Sequence, residues 1–321
     1  MRPLSPFSRR LPSAYTARMP RPSRAPRASA YLLRRAATEA SEASRVKELL
    51  AVHGLSPRKR MGQNFLIREE LAERIVEHCR LEPEDVAVEI GPGAGALTLR
   101  LARRARHLVA VEMDRGLAQL LREELSGFPR VELIEADFLE LDLAPIAAAH
   151  GVAKLAVVGS IPYNITTPIL ERIFAQRATI RSAVLLVQKE YAERLAAAAG
   201  TPEYGSITLF ARYHALMEPL MAVRASAFWP RPDVDSMLVR FLLREHPPVE
   251  VPDEALLFRI IRGSFHMRRK QLINTLEETL GLGKPALDRL CRQVRIDPQR
   301  RGETLTLEEF ARLARAAAER A

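Results

Sequence analysis

Three alternating glycines follow a short apolar run and are the residues best suited to hold a ligand. Gly91, Gly93 and Gly95 come directly after the apolar residues 86–88 and the carboxylate Glu89. Because glycine has no Cβ, its backbone can adopt a positive φ and approach a ligand closely. The spacing is G-x-G-x-G, whereas turns that bind pyrophosphate have G-x-G-x-x-G. The turn therefore predicts a nucleoside cofactor without a diphosphate, such as S-adenosylmethionine; the alternative is a strand-to-helix turn that binds nothing.

Carboxylates stand at the ends of the two apolar runs that follow. Glu112, with Asp114 two residues later, ends the run 108–111, and Asp137 comes after 131–136. Ligands of doubly wound sheets bind at the carboxyl ends of the strands. An acid about twenty residues past the glycines can accept the hydroxyl hydrogens of a ribose, and the side chain of Asp137 could accept those of an adenine amine. The alternative is that these acids are solvated residues at strand ends.

Ser160-Ile161-Pro162-Tyr163 has the polar-x-Pro-aromatic pattern of enzymes that methylate amino groups on bases. The amine on a purine is a poor nucleophile because its lone pair is delocalised into the ring. Ser160 and a backbone carbonyl held rigid by Pro162 could accept the amine hydrogens, while Tyr163 stacks on the base. No general base is required, because the methylated ammonium loses its proton readily to water. As an isolated string the tetrad is more typical of a strand-ending turn, but its place after the glycine turn and two carboxylates favours methyl transfer.

The charge of the chain is concentrated at its N-terminus. The net charge of the 321 residues is +10, but residues 1–38 hold nine arginines and no acid. The rest is nearly neutral, so binding to nucleic acid must depend on local basic patches. The two densest patches are Arg58-Lys59-Arg60 and Arg268-Arg269-Lys270. A basic triplet alone is more often solvated surface.

The N-terminal composition and the cysteines indicate the cellular compartment. Residues 1–45 are rich in Arg, Ser, Pro and Ala without apolar periodicity, so we expect disorder there. They resemble an organellar transit peptide, and the alternative that we favour is a basic tail of a bacterial protein. Cys79 and Cys291 have no C-x-x-C partner, so they predict neither a disulfide nor a zinc site and fit a reducing, cytoplasmic location. No apolar stretch is long enough to cross a bilayer.

Strand-like and helix-like segments alternate through the middle of the chain. The predicted strands are 86–90, 107–112, 131–135, 155–160 and 183–188, and the predicted helices are 68–79, 96–105, 115–125, 167–175 and 189–199. Such alternation predicts an α/β fold with a mostly parallel sheet and helices on both faces. Residues 213–224 and 236–243 resemble two further strands with no helix between them, which predicts an antiparallel edge.

The C-terminal part is predicted to be all helical. The linker signal His246-Pro247-Pro248 separates it from the sheet. Helical segments lie near 254–266, 268–280, 284–291 and 306–320. We therefore predict a disordered extension over 1–45, a cofactor-binding domain over 46–247 and a small helical domain over 248–321.

Seven motifs, in the same order, make the chain resemble the ribosomal RNA adenine dimethyltransferase family, in the branch that acts on small-subunit rRNA. Besides the tetrad, they are RKRMGQNFL at 58–66, VEIGPG at 88–93, VEMD at 111–114, EADFL at 135–139, FWPRPDVDS at 228–236 and FHMRRKQLINTL at 265–276. The resemblance runs from about residue 57 to about residue 312 and implies a Rossmann-like class I methyltransferase sheet. One departure is Ser160-Ile161, where the family usually has Asn-Leu. Serine can still accept one amine hydrogen, so we expect activity to be retained.

The resemblance implies a role for each matching residue and implies no metal. The implied cofactor contacts are Asn64, Leu66, Glu89, Gly91, Gly93, Glu112, Asp137 and Ser160. The implied catalytic residues, which hold the target base, are Ser160, Pro162, Tyr163 and Phe228, with Phe228 as the second stacking partner. The implied contacts with the rRNA backbone are Arg58, Lys59, Arg60, Arg268, Arg269 and Lys270. Such contacts position the RNA without reading its sequence.

The implied activity is S-adenosylmethionine-dependent dimethylation of N6 of two adjacent adenosines in the 3′-terminal hairpin of 16S rRNA. The implied partner is the immature small ribosomal subunit, and we expect a monomer that does not bind membranes. Two alternatives are a large-subunit rRNA adenine dimethyltransferase and a ribosome-assembly or organellar factor with weak or lost catalysis. The Arg-Arg-Lys segment and the string at 228–236 favour the small-subunit branch, whereas Ser160 keeps the factor alternative open.

Overall fold

The structure is a computed structural model that describes residues 42–267 and 269–320. Its strands are β1 (Phe65–Leu66), β2 (Val86–Ile90), β3 (His107–Glu112), β4 (Val131–Glu135), β5 (Leu155–Ser160), β6 (Ile180–Gln188), β7 (Ala215–Val223), β8 (Phe228–Trp229) and β9 (Ser236–Leu243). Its α-helices are α1 (Glu42–Val52), α2 (Glu69–His78), α3 (Thr98–Arg104), α4 (Arg115–Glu124), α5 (Ala144–Ala149), α6 (Thr166–Ala175), α7 (Lys189–Ala196), α8 (Ser206–His214), α9 (Glu254–His266), α10 (Leu272–Leu280), α11 (Lys284–Gln293) and α12 (Leu307–Ala318). In this part of the chain no helix has both the length and the apolar character that a membrane span requires.

Seven strands form one sheet in the order β4-β3-β2-β5-β6-β9-β7. The strands from β4 to β6 in that order are parallel, and β9 is antiparallel to both β6 and β7. The predicted mostly parallel sheet with an antiparallel edge is therefore confirmed. The chain leaves β2 toward β3 on one side and returns to β5 on the other. The switch point between β2 and β5 is where a ligand is expected, at the carboxyl ends of the strands.

The sheet is covered by apolar layers on both faces. Every residue of β2 is buried, as expected for a central parallel strand. Val88 belongs to the core cluster that contains Phe174 of α6. Ala87, which points to the other face, belongs to the cluster that contains Ile75 of α2. The alternation of side chains along the strand thus supplies both layers with apolar surface.

Helices α9–α12 enclose a second core, which includes Leu257, Leu290 and Phe310. Tyr204 and Leu209, from the segment around the start of α8, belong to the same core. The buried hydroxyl of Tyr204 donates a 2.8 Å hydrogen bond to the carbonyl oxygen of Leu305. The helical unit is therefore packed on the α/β unit through α8.

Some helices differ from the prediction. α1 begins at Glu42, so residues 42–45 are helical although disorder was expected up to residue 45; residues 1–41 lie outside the described part. α5 and α8, of six and nine residues, were not predicted from the sequence. α8 also occupies the start of the strand expected from residue 213, which begins at Ala215. The helix expected from residue 268 begins at Leu272.

Candidate cofactor and base-binding site

A cavity of about 280 Å³ lies at the carboxyl ends of the strands beside the switch point. Its wall includes the ends of β2, β3 and β5, the segment 136–139 after β4, the segment before β1 and Phe228 of β8. The residues with predicted cofactor or catalytic roles on this wall are Asn64, Gly91, Gly93, Glu112, Asp137, Ser160, Pro162, Tyr163 and Phe228. The structure thus brings the glycine turn, two carboxylates and the tetrad to one cavity.

The glycine turn adopts the left-handed backbone that its sequence predicts. The φ angle is +62° at Gly91, +57° at Gly93 and +81° at Gly95, a region that costs other residues about 1–2 kcal/mol. A Cβ on Gly93 would lie 3.1 Å from Cδ1 of Phe65, whereas a Cβ on Gly91 would meet no atom within 4 Å. Because Gly91 lines the cavity, the turn presents bare backbone to open space where a ligand would lie.

Glu112, at the end of β3, joins the glycine turn to the start of α4. Its Oε2 accepts a hydrogen bond from the backbone N–H of Gly93 at 3.3 Å, and its Oε1 accepts one from Asp114 at 2.9 Å. Burial raises the pKa of Glu112, and these two backbone donors oppose the rise. A carboxylate offers about four lone-pair sites. Glu112 can therefore still accept hydrogens from ribose hydroxyls.

Asp114 does not line the cavity but fixes the chain that covers it. Its Oδ1 accepts hydrogen bonds from the backbone N–H groups of Gly116 and Leu117 at 2.9 and 3.3 Å, and so caps α4. Its Oδ2 lies 3.0 Å from the guanidinium of Arg58 and accepts a 3.1 Å hydrogen bond from Nε2 of Gln63. One carboxylate therefore ties the basic segment before β1 to the start of α4.

Glu89, a predicted cofactor contact, is not on the cavity wall. Its side chain is 1% exposed, and its Oε2 has no hydrogen-bond partner in the part of the chain that the structure describes. Burial raises the pKa of Glu89 to about 8; the Thr98 hydroxyl lowers it and the charge of Glu112 raises it. Side chains alternate along a strand, so Glu89 points to the same face as Ala87. The Glu89 side chain therefore points into the protein interior. The motif shows the residue type at this position but not the direction of its side chain.

The tetrad lies where β5 ends. Ser160 is the last residue of the strand, Ile161 is buried in the core, and Pro162 has φ −58° and ψ 135°. The hydroxyl oxygen of Tyr163 lies 2.7 Å from Oγ of Ser236 on β9. Burial raises the pKa of Tyr163, while the hydrogen bond to Ser236 opposes the rise. The phenol of Tyr163 is therefore neutral at physiological pH. The hydrogen bond between its hydroxyl and Ser236 holds the ring at the cavity.

Phe228 reaches the cavity through the pairing of β1 with β8. In this antiparallel pair Leu66 lies opposite Phe228, and Phe65 lies opposite Trp229. Phe228 is 4% exposed and lines the same cavity as Tyr163. Leu66, a predicted cofactor contact, is absent from the cavity wall. Its place in β1 instead fixes the strand that carries Phe228.

The segment before β1 also packs directly on the tetrad turn. A Cβ on Gly62 would lie 3.1 Å from Oδ1 of Asn164 and 3.3 Å from Cβ of Pro162. Gly62 has φ +64°, so a larger residue would be strained as well as crowded. Nδ2 of Asn64 donates a 3.0 Å hydrogen bond to the carbonyl oxygen of Gly62. This close approach closes the cavity on one side.

The residues predicted to contact RNA lie in two places. Arg60 is exposed and lines the cavity, Arg58 is paired with Asp114, and Lys59 begins a short 3-10 helix, Lys59–Met61. The other triplet follows α9: Arg269 and Lys270 are exposed in the turn before α10, and Arg268 lies outside the described residues. Arg60 is thus on the cavity rim, whereas Arg269 and Lys270 are on the helical unit.

Three residues of the site were not predicted from the sequence. Met113 lines the cavity and is 51% exposed, and its place directly after Glu112 at a strand end was an available signal. Gln63 and Ser236 hold other site residues through hydrogen bonds. Both residues stand in motifs, at 58–66 and 228–236, but their partners are 51 and 73 residues away in sequence, so the contacts could not be predicted from a local pattern.

Comparisons of the sequence agree on one family. A family model described as "Ribosomal RNA adenine dimethylase" matches residues 54–318. The chain is 42% identical over 277 residues to ribosomal RNA small subunit methyltransferase A of Geobacillus sp. (strain WCH70), covering 85% of this chain and 95% of that one. It is 44% identical over 277 residues to the protein of the same name from Geobacillus thermodenitrificans (strain NG80-2), with 85% and 94% covered.

Solved structures show the same fold. The structure of the 23S rRNA methyltransferase ErmE has a TM-score of 0.60 and 28% identity, covering 79% of this chain and 100% of that one. A dimethyladenosine transferase from Plasmodium falciparum has a TM-score of 0.63 and 21% identity, covering 77% and 94%. The second likeness is one of fold alone.

Proposed function

Because the chain belongs to the ribosomal RNA adenine dimethylase family, we propose that it dimethylates N6 of two adjacent adenosines in the 3′-terminal hairpin of small-subunit rRNA. Membership of this family confirms the predicted resemblance, the class I methyltransferase fold, the methyltransferase activity and S-adenosylmethionine as the methyl donor. One observation carries the proposal: the glycine turn, Glu112 and the tetrad meet at one cavity.

S-adenosylmethionine supplies a methyl group bound to a positively charged sulfur. The site suits such a molecule, because Gly91 offers bare backbone beside open space and Glu112 keeps acceptors for ribose hydroxyls. Asp137 lines the cavity, and its Oδ1 accepts a 2.9 Å hydrogen bond from the backbone N–H of Leu139. That bond orients the carboxylate, whose second oxygen can accept from an adenine amine. Asn64 closes the site from the segment before β1.

The target adenine enters between Tyr163 and Phe228, which line one cavity. Unstacking the base costs a few kcal/mol and is least costly in a loop, where single-stranded bases are the usual targets of RNA recognition. Ser160 and a backbone carbonyl at the tetrad accept the amine hydrogens and so direct the nitrogen lone pair into the cavity. After transfer the methylated ammonium loses its extra proton readily to water. No side chain is therefore needed as a base.

The exposed basic residues provide the docking surface for the rRNA backbone. Arg269 and Lys270 stand in a turn of the helical unit, while Arg60 stands at the cavity. Ion pairs with phosphates supply affinity that falls with added salt, and removal of one such pair lowers the logarithmic slope by about one unit. Arg269→Ala should therefore reduce the salt dependence of binding, whereas Arg103→Ala, an equal charge change on exposed residue 103 of α3, should not.

We further infer a monomeric protein that works on the immature small subunit in the cytoplasm. Both cysteines are buried free thiols. Burial raises the pKa of Cys79 to about 12 and that of Cys291 to about 11, so neither forms a thiolate readily. Free thiols of this kind fit a reducing compartment.

The decisive experiment incubates the purified protein with unmethylated small subunits and labelled S-adenosylmethionine. Mass spectrometry of the 3′ fragment should show two dimethylated adenosines, and Tyr163→Ala should abolish them. Arg269→Ala should weaken binding yet leave transfer intact when the subunits are in excess. Transfer of methyl groups to large-subunit rRNA instead would support the alternative of a large-subunit rRNA adenine dimethyltransferase.

A second candidate function, a ribosome-assembly factor without catalysis, is favoured by one observation. Ser160 stands where the family usually has asparagine, and its shorter side chain reaches less far into the cavity. Saturable binding of small subunits without transfer of label would support this function. Restoration of transfer by Ser160→Asn would then identify the shorter side chain as the cause.

A further inference from the structure

A second group of ligand-type side chains lies at the sheet edge opposite the cavity. His107 begins β3, Glu132 lies in β4, and His150 directly follows α5. One donor atom from each lies within 4.8 Å of the other two, the one such trio of His, Cys, Asp or Glu found in residues 42–267 and 269–320. Glu112 is five residues further along β3, so the group is roughly 16 Å from the cavity along the strand.

One pair of these donors already has the spacing of two ligands to one metal ion. Nε2 of His150 lies 3.4 Å from Oε2 of Glu132. Two donors bound to zinc at about 2.0–2.1 Å with tetrahedral angles stand about 3.4 Å apart. The rings of His107 and His150 have centroids 4.2 Å apart and are tilted by 36°. The two imidazole rings are therefore in contact, and the donor atoms of all three side chains lie within 4.8 Å of one another.

His150 carries an unsatisfied polar atom at this point. Its Nε2 is buried and has no hydrogen-bond partner within the described residues, although the Glu132 carboxylate is close. A buried polar atom left without a partner destabilises the fold, and a bound cation would satisfy it. The side chain of His150 is 17% exposed and that of Glu132 is 39% exposed, so solvent can supply a further ligand.

The charges around the group permit a cation. The Glu132 carboxylate is the anionic member of the group and lies 3.4 Å from Nε2 of His150. Arg106 is the nearby positive charge. Its guanidinium donates a 2.6 Å hydrogen bond to the carbonyl oxygen of His150 and lies 3.8 Å from Glu84, so it faces the backbone and another carboxylate.

We propose that His107, Glu132 and His150 bind one divalent transition-metal ion of the zinc class, with water as the fourth ligand. Two imidazoles and one carboxylate are a donor set that zinc prefers, and Glu132 balances one of its charges. The ion ties β3, β4 and the end of α5 together. Its role is structural and separate from methyl transfer. No local motif signals this site, because the three residues are 25 and 18 positions apart.

The test uses the full chain without a histidine tag, freed of metal by a chelator. Titration with Co²⁺ should give visible d–d absorption that saturates at one ion per chain, and Zn²⁺ should displace it. Zn²⁺ should also raise the Tm. His107→Ala and His150→Ala should each weaken Co²⁺ binding by about tenfold or more, since even outer-shell changes cost about 10–100-fold. Methyl transfer should be unchanged in both variants.

His53 offers a matched control, because its Nε2 lies 3.2 Å from Oε2 of Glu123 and belongs to no trio of ligands within the described residues. His53→Ala should leave Co²⁺ affinity at the wild-type value. The proposal is overturned if no saturable absorption develops, if neither His107→Ala nor His150→Ala weakens binding, or if His53→Ala weakens it equally. In those cases the three residues form only an ion pair and a ring stack.

Discussion

The hydroxyl groups of Tyr163 and Ser236 lie 2.7 Å apart, although 73 residues separate them in sequence. Ser236 is fully buried and begins β9, where it pairs with Gln188 of β6 and Val223 of β7. A residue held between two strands has little freedom to move. The hydrogen bond therefore fixes the angle of the Tyr163 ring, and under the proposed function Ser236 is a positioning residue for the target base.

Removal of this bond should slow methyl transfer without unfolding the protein. Ser236→Ala and Tyr163→Phe should each lower kcat/KM by about fivefold, since a neutral hydrogen bond contributes about 1 kcal/mol. The double variant should be no slower than either single variant, because both remove the same interaction. Ser226→Ala, at an exposed serine of the preceding turn, is the control. Additive losses in the double variant would contradict the positioning role.

Asp114 should couple binding of the cofactor to the basic segment before β1. Asp114→Ala removes both the cap of α4 and the contacts with Arg58 and Gln63, so we expect a loss of about 1 kcal/mol in stability and weaker cofactor binding. Asp114→Ser keeps a capping oxygen but removes the ion pair. It should retain most of the Tm and still bind S-adenosylmethionine more weakly by calorimetry. Wild-type affinity in the serine variant would show that the segment is held by other contacts.

The role of Gly91 in cofactor binding can be tested by comparison with Gly54, which has a similar positive φ but does not line the cavity. Gly54 has φ +65°, and a Cβ there would also meet open space. Gly91→Ala and Gly54→Ala should therefore cost similar stability, about 1 kcal/mol each. Only Gly91→Ala should weaken binding of S-adenosylmethionine, because its methyl group would enter the cavity. Equal affinities in the two variants would mean that no ligand approaches Gly91.

The sequence was sufficient for the parts of the site that depend on local pattern. Strand β2 and its glycine turn follow from an apolar run that ends in residues able to adopt positive φ. Glu112 and Asp137 follow from the rule that ligands bind at the carboxyl ends of parallel strands. In each case the residue and its structural reason lie within one strand and the turn after it.

The remaining features depend on tertiary contacts. Ser236 contacts Tyr163 only because β9 inserts between β6 and β7, and Asp114 contacts Arg58 only because the chain before β1 folds back over the cavity. Leu66 matches a motif but pairs with Phe228 instead of lining the wall. A motif identifies residue types. The direction of each side chain depends on how the strands pair, which the motif does not contain.

Glu89 should make the stability of the protein depend on pH. Burial raises the pKa of Glu89 from 4.5 to about 8 in the folded state. The contribution of the protonated carboxyl to the free energy of unfolding is therefore fully present below about pH 4.5 and is lost as the pH rises toward about 8. Glu89→Gln should abolish this part of the decline and stabilise the cofactor-free protein at pH 8 by an amount on the order of a few kcal/mol. Chemical denaturation at a series of pH values measures the difference.

The control for this series is Glu140→Gln, at an exposed carboxylate. It should follow the wild-type curve, because an exposed side chain has similar surroundings in the folded and unfolded states. Glu89→Gln should approach the wild type in stability at low pH, where the buried carboxyl is neutral in both states. A constant difference at every pH would instead mean that the substitution changes packing beneath the glycine turn. A larger stability loss for Glu89→Gln at pH 8 than at pH 5 would show that the ionised carboxylate stabilises the fold.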